Sequence, residues 1–122
     1  MNTALKAISI IAMSATSASA QATDWWWVSG RPGADNVYFV DAESVVKNGN
    51  KVTFVQASFK RSGETKHAVL TMNCDIPQRD ADVDALRDFA CASQDIRMQN
   101  ALSLGGTEPR QLAVTIFSMP DS

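Results

Sequence analysis

The sequence predicts a small α+β domain, an antiparallel β-sheet meander with one helix packed on the sheet and held by a disulfide. Three observations lead to this fold class: apolar residues alternate along several short segments, an Asn-Gly pair separates two of them, and an acidic segment with helical spacing follows. Strands that come first and are followed by a helix are typical of α+β domains.

Residues 1–20 have the layout of a secretory signal peptide. One positive charge, Lys6, precedes a short apolar run, and small residues come before Gln21. The apolar run is too short to span a bilayer. We therefore expect a signal peptide over residues 1–20 and a single domain over residues 21–122, which begins at Gln21 or, if cleavage falls two residues later, at Thr23.

Such a leader places the protein in the periplasm or in the secreted fraction, and no cysteine at the cleavage site offers a lipid anchor. The chain has two cysteines, Cys74 and Cys91. Thiols outside the cytoplasm are usually oxidised, and an even number favours pairing. We expect a disulfide between them, closing a loop of about 17 residues, for which chain entropy gives roughly 3 kcal/mol of stabilisation.

The first two predicted strands lie before residue 42. Residues 24–29 contain three consecutive tryptophans and predict one strand, and residues 36–41 predict another with apolar side chains on both faces. We expect both faces of the second strand to be covered, or the sheet to be rolled. Residues 41–44 predict a turn with side-chain capping.

A hairpin follows at Asn48-Gly49, since this pair tolerates the positive φ angles of a tight turn. It leads into a strand over residues 51–60, and the Arg61–Glu64 turn leads into a strand over residues 65–74. In the last strand Ala68, Leu70, Met72 and Cys74 share one face, which predicts that Cys74 points into the core.

Residues 79–92 predict the helix, because its first turns are acidic and Leu86, Phe89 and Ala90 form an apolar stripe. Residues 94–107 are ambiguous in their periodicity, and Gly105-Gly106 interrupts them. Leu112, Val114 and Ile116 alternate, which predicts a final strand over residues 111–117.

The inventory of reactive side chains indicates a protein without catalytic residues, metal ligands or a cofactor. His67 is the only histidine, no nucleophile stands at a triad spacing from it, and a G-x-S-x-G turn is absent from the sequence. Two cysteines and one distant histidine do not form a tetrahedral metal set. The aspartates from Asp80 resemble the start of a calcium loop, but Ala85 stands where that loop needs glycine.

Charge excludes one class of partner. The formal net charge is −2, and it becomes −3 when Lys6 is removed with the leader, whereas nucleic-acid-binding domains are strongly basic. No further apolar stretch predicts a membrane span.

Two groups of residues are candidates for a partner surface. Trp25, Trp26 and Trp27 form an uncommon run that either packs in the core or exposes an aromatic anchor. The second group consists of basic residues on the predicted hairpins: Lys51, Lys60, Arg61 and Lys66. These residues either bind a polyanion or lie on a solvated sheet edge, where their charge prevents a strand of another chain from pairing with it. We expect the partner to be a protein or a polyanionic glycan.

Several short motifs resemble the bacterial surface-adhesin protein E-like domain family. They are Trp27-Val28-Ser29, the run from Val37 to Val45 (V-Y-F-V-D-A-E-S-V), Gly49 and Val52, Asn73-Cys74-Asp75, and Met119-Pro120-Asp121-Ser122. The family typically shows a tryptophan strand, a "V-Y-x-V-D-x-x-S" strand and turn, a second hairpin, a "C-D" pair and a closing "P-G-S". The resemblance implies a small antiparallel sheet with a disulfide-held helix, in the envelope of Gram-negative bacteria.

The resulting hypothesis is a non-enzymatic secreted or periplasmic binding domain, adhesin-like by resemblance because the namesake of that family engages host matrix proteins. A periplasmic inhibitor or immunity protein that blocks an enzyme fits the size and the disulfide equally well. A small hydrolase fits poorly, since one histidine cannot assemble an acid–base or nucleophile constellation.

Overall fold

The computed structural model describes residues 23–120, so the predicted signal peptide lies outside the described residues. The strands are β1 (Trp25–Ser29), β2 (Asn36–Asp41), β3 (Val46–Asn48), β4 (Lys51–Lys60), β5 (Thr65–Asn73) and β6 (Leu102–Ser103). The helices are α1 (Ala81–Cys91), α2 (Gln94–Asn100) and α3 (Pro109–Ser118), and a 3₁₀ turn covers Ala42–Ser44. Among residues 23–120, no helix has the length and apolar character needed to cross a membrane.

The α+β prediction is confirmed: six strands form one antiparallel sheet. Strand β4 stands at its centre. Along one edge β4 pairs with all of β5, and along the other it pairs with β2 at its end and with β3 at its beginning. Strand β1 then pairs with β2, and the short β6 pairs with β1.

Both faces of the sheet are covered, as the apolar character of the second predicted strand indicated. On one face Val40, Phe54 and Leu86 are buried in a core closed by α1. On the other face Phe39 and Ile116 are buried in a second core closed by α3. Successive side chains of a strand point to opposite faces, so β2 and β4 contribute to both cores.

Side-chain hydrogen bonds fix the turn after β2, as predicted. Asp41 Oδ1 accepts from the backbone N–H groups of Asp24 at 2.8 Å and Glu43 at 3.0 Å. Ser44 Oγ donates to the Asp41 carbonyl at 2.6 Å and accepts from the Val55 N–H at 2.8 Å. These contacts explain why a short Asp-x-x-Ser motif follows β2: it ties the turn to both β1 and β4.

The helix predicted over residues 79–92 is α1. Asp80 caps its N-terminus, accepting from the N–H groups of Asp82 at 2.9 Å and Val83 at 3.0 Å. Cys91 is its last residue and forms the expected disulfide with Cys74, with 5.9 Å between the two Cα atoms.

A second link between α1 and the end of β5 lies beside this disulfide. The side chain of Arg87 is 12% exposed and donates to the Cys74 carbonyl, and it also pairs with Asp84 at 3.1 Å and Asp88 at 2.8 Å. The chain just after β5 is therefore joined to the last residue of α1 by a covalent bond and to the middle of α1 by Arg87. Charge-assisted hydrogen bonds of this kind are stronger than neutral ones.

The prediction of a strand over residues 111–117 is wrong, because this segment belongs to helix α3. Pro109 occupies its first turn, where a missing N–H costs nothing. The buried positions are Pro109, Ala113 and Ile116, which recur at helical spacing, whereas Val114 is 61% exposed. The prediction of a single helix on one face is corrected with it: helices cover both faces, and residues 94–100 form α2.

The Asn-Gly hairpin is present with its turn displaced by one residue. Asn48 pairs with Lys51, so Gly49 and Asn50 are the two central residues. Gly49 has φ +65°, a conformation that glycine adopts without strain.

We predict that the double variant Cys74→Ala/Cys91→Ala loses about 2–5 kcal/mol of unfolding free energy, the usual cost of removing a native disulfide from a small domain. Urea unfolding of the parent without reductant, the reduced parent and the variant measures this difference. The reduced parent should match the variant; an unchanged midpoint in both would contradict the prediction.

We predict that Asp84 makes stability sensitive to acid. Its hydrogen bond from the Gln78 N–H, together with Arg87, lowers the pKa of this carboxyl. A group with a lowered folded pKa stabilises the fold above its unfolded pKa of about 4 and loses that contribution as the pH falls through the folded value. Urea unfolding from neutral pH downward should show a shallower acid loss for Asp84→Asn than for Asp95→Asn, a control on α2.

Candidate binding surface

The three tryptophans of β1 divide between the two faces of the sheet. Trp25 and Trp27 pack against the α3 core, and Trp26 packs against the α1 core. All three are partly buried. The indole N–H of Trp27 donates to the carbonyls of Ser29 at 3.2 Å and Gly30 at 2.9 Å. The run therefore contributes to packing, and a partner contact through it stays a prediction.

His67 lies on the α3 face of β5, where it is exposed. Its ring stands edge-on to Trp25 and Phe59, with centroids 6.2 and 6.4 Å away. Strands β1 and β5 are separated by two others, so this contact brings together side chains from well-separated strands. Among residues 23–120, no three His, Cys, Asp or Glu side chains cluster as a metal site would require.

The predicted basic residues do not form one surface. Lys51 begins β4 and Lys60 ends it, so about 30 Å of extended strand separates them. Lys60, Arg61 and Lys66 do lie near one another, around the turn between β4 and β5. Lys66, however, faces the α1 side of the sheet together with Leu70, so it stands apart from the α3 side.

Arg61 acts as a clamp within the protein. Its guanidinium donates to the carbonyl groups of Phe117 at 3.0 Å and Ala34 at 3.0 Å, and also to that of Pro32. The Arg61 Cζ atom lies 4.9 Å from the centre of the Phe117 ring. One side chain thus joins the β4–β5 turn, the loop after β1 and the end of α3.

Arg110, which the sequence did not single out, lines a surface recess together with Arg61. Its Cζ atom lies 5.8 Å from the centre of the Phe59 ring, and its guanidinium donates to Thr65 Oγ1 at 3.2 Å. The recess between the two arginines has a volume of about 290 Å³, and Phe117 and the exposed Val114 contribute to its lining. We call it the arginine groove.

The arginine groove combines two features that recognition of anionic partners uses. Each guanidinium lies over a phenyl ring, and guanidinium groups supply directed N–H donors for carboxylate, sulfate or phosphate oxygens. Predicting it required the helical state of residues 109–118, since a strand over residues 111–117 would have left Arg110 in a loop.

The comparisons with known proteins returned no match: no family model, no curated protein and no solved structure is similar to this chain at a significant level.

We predict that Arg61→Met lowers the unfolding free energy by about 1–3 kcal/mol, since it removes hydrogen bonds from a charged donor. The matched control is Lys60→Met, which breaks only an exposed ion pair with Glu64 at 3.5 Å. Such pairs contribute roughly 0–1 kcal/mol. Urea unfolding compares the two variants with the parent. Equal losses in both would show that Arg61 is not a clamp.

Proposed function

We propose that this chain is a non-enzymatic binding domain, located in the periplasm or secreted, that engages a polyanionic glycan through the arginine groove. The observation that carries this proposal is that Arg61 and Arg110 line one groove, each with its guanidinium over a phenyl ring, Phe117 and Phe59 respectively. Location outside the cytoplasm is supported by the Cys74–Cys91 disulfide, because such bonds persist in oxidising compartments.

The two arginines have different tasks in this proposal. Arg61 donates hydrogen bonds to three backbone carbonyls, so it shapes the groove and contributes positive charge to it. Arg110 makes a single hydrogen bond to a neighbouring strand and lies at an exposed position. Arg110 is therefore the side chain that directs its donors at the ligand. We include an adhesin-like role in this proposal because the sequence motifs resemble those of the surface-adhesin protein E-like domain family.

Heparin is the probe for the test, as a sulfated glycan of high charge density. We predict that the full chain binds immobilised heparin at low salt, that Arg110→Gln weakens binding roughly fivefold to tenfold, and that added salt weakens it further. The control is Arg79→Gln, an exposed arginine just before α1 that lies outside the groove.

Surface plasmon resonance with parent and variants measures these affinities. No binding at low salt would contradict the glycan as partner, and equal losses for Arg79→Gln and Arg110→Gln would contradict the groove as its site. Absence of heparin binding would leave a protein as the partner, because its acidic side chains would use the same donors.

A further inference from the structure

Strand β5 forms an edge of the sheet. It pairs with β4 along its whole length, and among residues 23–120 no strand pairs with its other side. Its nine residues make it much longer than the three-residue β3 and the two-residue β6. An edge strand presents a row of backbone N–H and C=O groups without partners, and another strand can pair with such a row.

Two backbone hydrogen bonds at the ends of the β4–β5 pair identify the groups that face outward. The Lys60 N–H donates to the Glu64 carbonyl at 2.8 Å, and the Cys74 N–H donates to the Asn50 carbonyl at 2.7 Å. In an antiparallel pair the backbone groups of every second residue point to the partner strand. The even-numbered residues of β5 therefore bond to β4. The odd-numbered residues direct their N–H and C=O groups to the open side: Thr65, His67, Val69, Thr71 and Asn73.

The three central residues of this outward row are the open part of the edge. At one end the Asn73 carbonyl accepts from the Ile76 N–H at 3.2 Å. At the other end the Thr65 side chain accepts from Arg110 at 3.2 Å. Between them His67, Val69 and Thr71 are exposed, and no described backbone group pairs with their outward N–H and C=O groups.

This part of β5 lacks the features that normally prevent strand addition. Charged side chains, proline and β-bulges serve that purpose in edge strands. From His67 to Asn73 the sequence H-A-V-L-T-M-N contains no Asp, Glu, Lys, Arg or Pro, and the register with β4 has no shift. Val69 is 69% exposed, the highest value among the exposed large apolar side chains of residues 23–120. The edge therefore offers both unpaired backbone groups and an apolar side chain.

We propose that the open edge of β5 is a homodimer interface, in which β5 of a second copy pairs with it antiparallel about a two-fold axis through Val69. Val69 is the midpoint of Thr65–Asn73 and belongs to the outward row, so this axis overlaps the two strands over their full length. Val69 then lies opposite the partner subunit's Val69, and His67 lies opposite the partner subunit's Thr71. The two sheets become one continuous sheet.

This register suits the side chains of β5. The two exposed Val69 side chains contact each other and are removed from water. Lys66, the only Lys, Arg, Asp or Glu of the strand, lies opposite the partner subunit's Met72, so no like charges face each other. A two-fold contact also ends assembly at two copies, because each copy uses its β5 edge once. One strand from each copy is a smaller contact than the roughly 1,200–2,000 Å² of stable interfaces, so we expect a dimer that dissociates on dilution.

Sedimentation velocity of the full chain tests this proposal. From about 10 µM to about 1 mM it should show a shift from monomer to dimer. Val69→Lys places two like charges opposite each other at the axis, so it should weaken dimerisation about tenfold, and added salt should restore part of the loss. The matched control is Val46→Lys, at a 62% exposed valine of β3 on the other edge of β4. This control should dimerise as the parent does.

Cysteine cross-linking tests the register. The Cα atoms of a hydrogen-bonded antiparallel pair lie about 5.5 Å apart, within the roughly 4.4–6.8 Å that a disulfide spans. Val69→Cys should therefore form a disulfide-linked dimer on mild oxidation, detected by non-reducing electrophoresis. Thr71→Cys should not cross-link to itself, because the two copies of residue 71 are offset by about 13 Å along the strands. It should cross-link to His67→Cys when these two variants are mixed.

Three results would overturn the proposal. A chain that stays monomeric up to about 1 mM would leave the edge of β5 unpaired. Parental dimerisation of Val69→Lys, or its loss in Val46→Lys, would place the interface elsewhere. Self-cross-linking of Thr71→Cys as efficient as that of Val69→Cys would exclude the two-fold register. Residues 67–73 do not line the arginine groove, so none of these results depends on the heparin test.

Discussion

Strand β4 is paired along both of its edges, and this double pairing holds the sheet together. This ten-residue strand holds β5 along one edge and divides the other between β2 and β3. Its side chains are also shared between two cores, with Val52 and Phe54 toward α1 and Ala57 and Phe59 toward α3. Any shift of register by one residue would exchange these faces and remove both cores together.

The arginine groove lies near the end of β4, where Phe59 contributes to its lining. A second recess, on the opposite face of the sheet, is lined by Gln56 and Ser58 of the same strand.

Features decided by local pattern were predictable from the sequence. The alternation of Leu70, Met72 and Cys74 indicated the core face of β5, and the acidic first turn of α1 indicated its helical state. Because the sequence contains two cysteines, each had one possible partner within the chain.

Features decided by distant contacts were not predictable. Leu112, Val114 and Ile116 fit a strand period, while Leu112, Ala113 and Ile116 fit a helix, and only the second apolar face of the sheet decides between them. The role of Arg61 as a clamp depends on the same kind of information. It follows from carbonyl groups that are more than 25 residues away, with Ala34 at a separation of 27.

The two helices that close the cores are attached by different means, and this gives the domain unequal local stability. Helix α1 is joined to β5 by a covalent bond and by Arg87, whereas α3 is held by side-chain packing and the Arg61 clamp. Opening of α3 exposes one apolar face while the opposite core remains closed. Amide protons of α3 should therefore exchange with solvent through a sub-global fluctuation, and those of β4 only through complete unfolding.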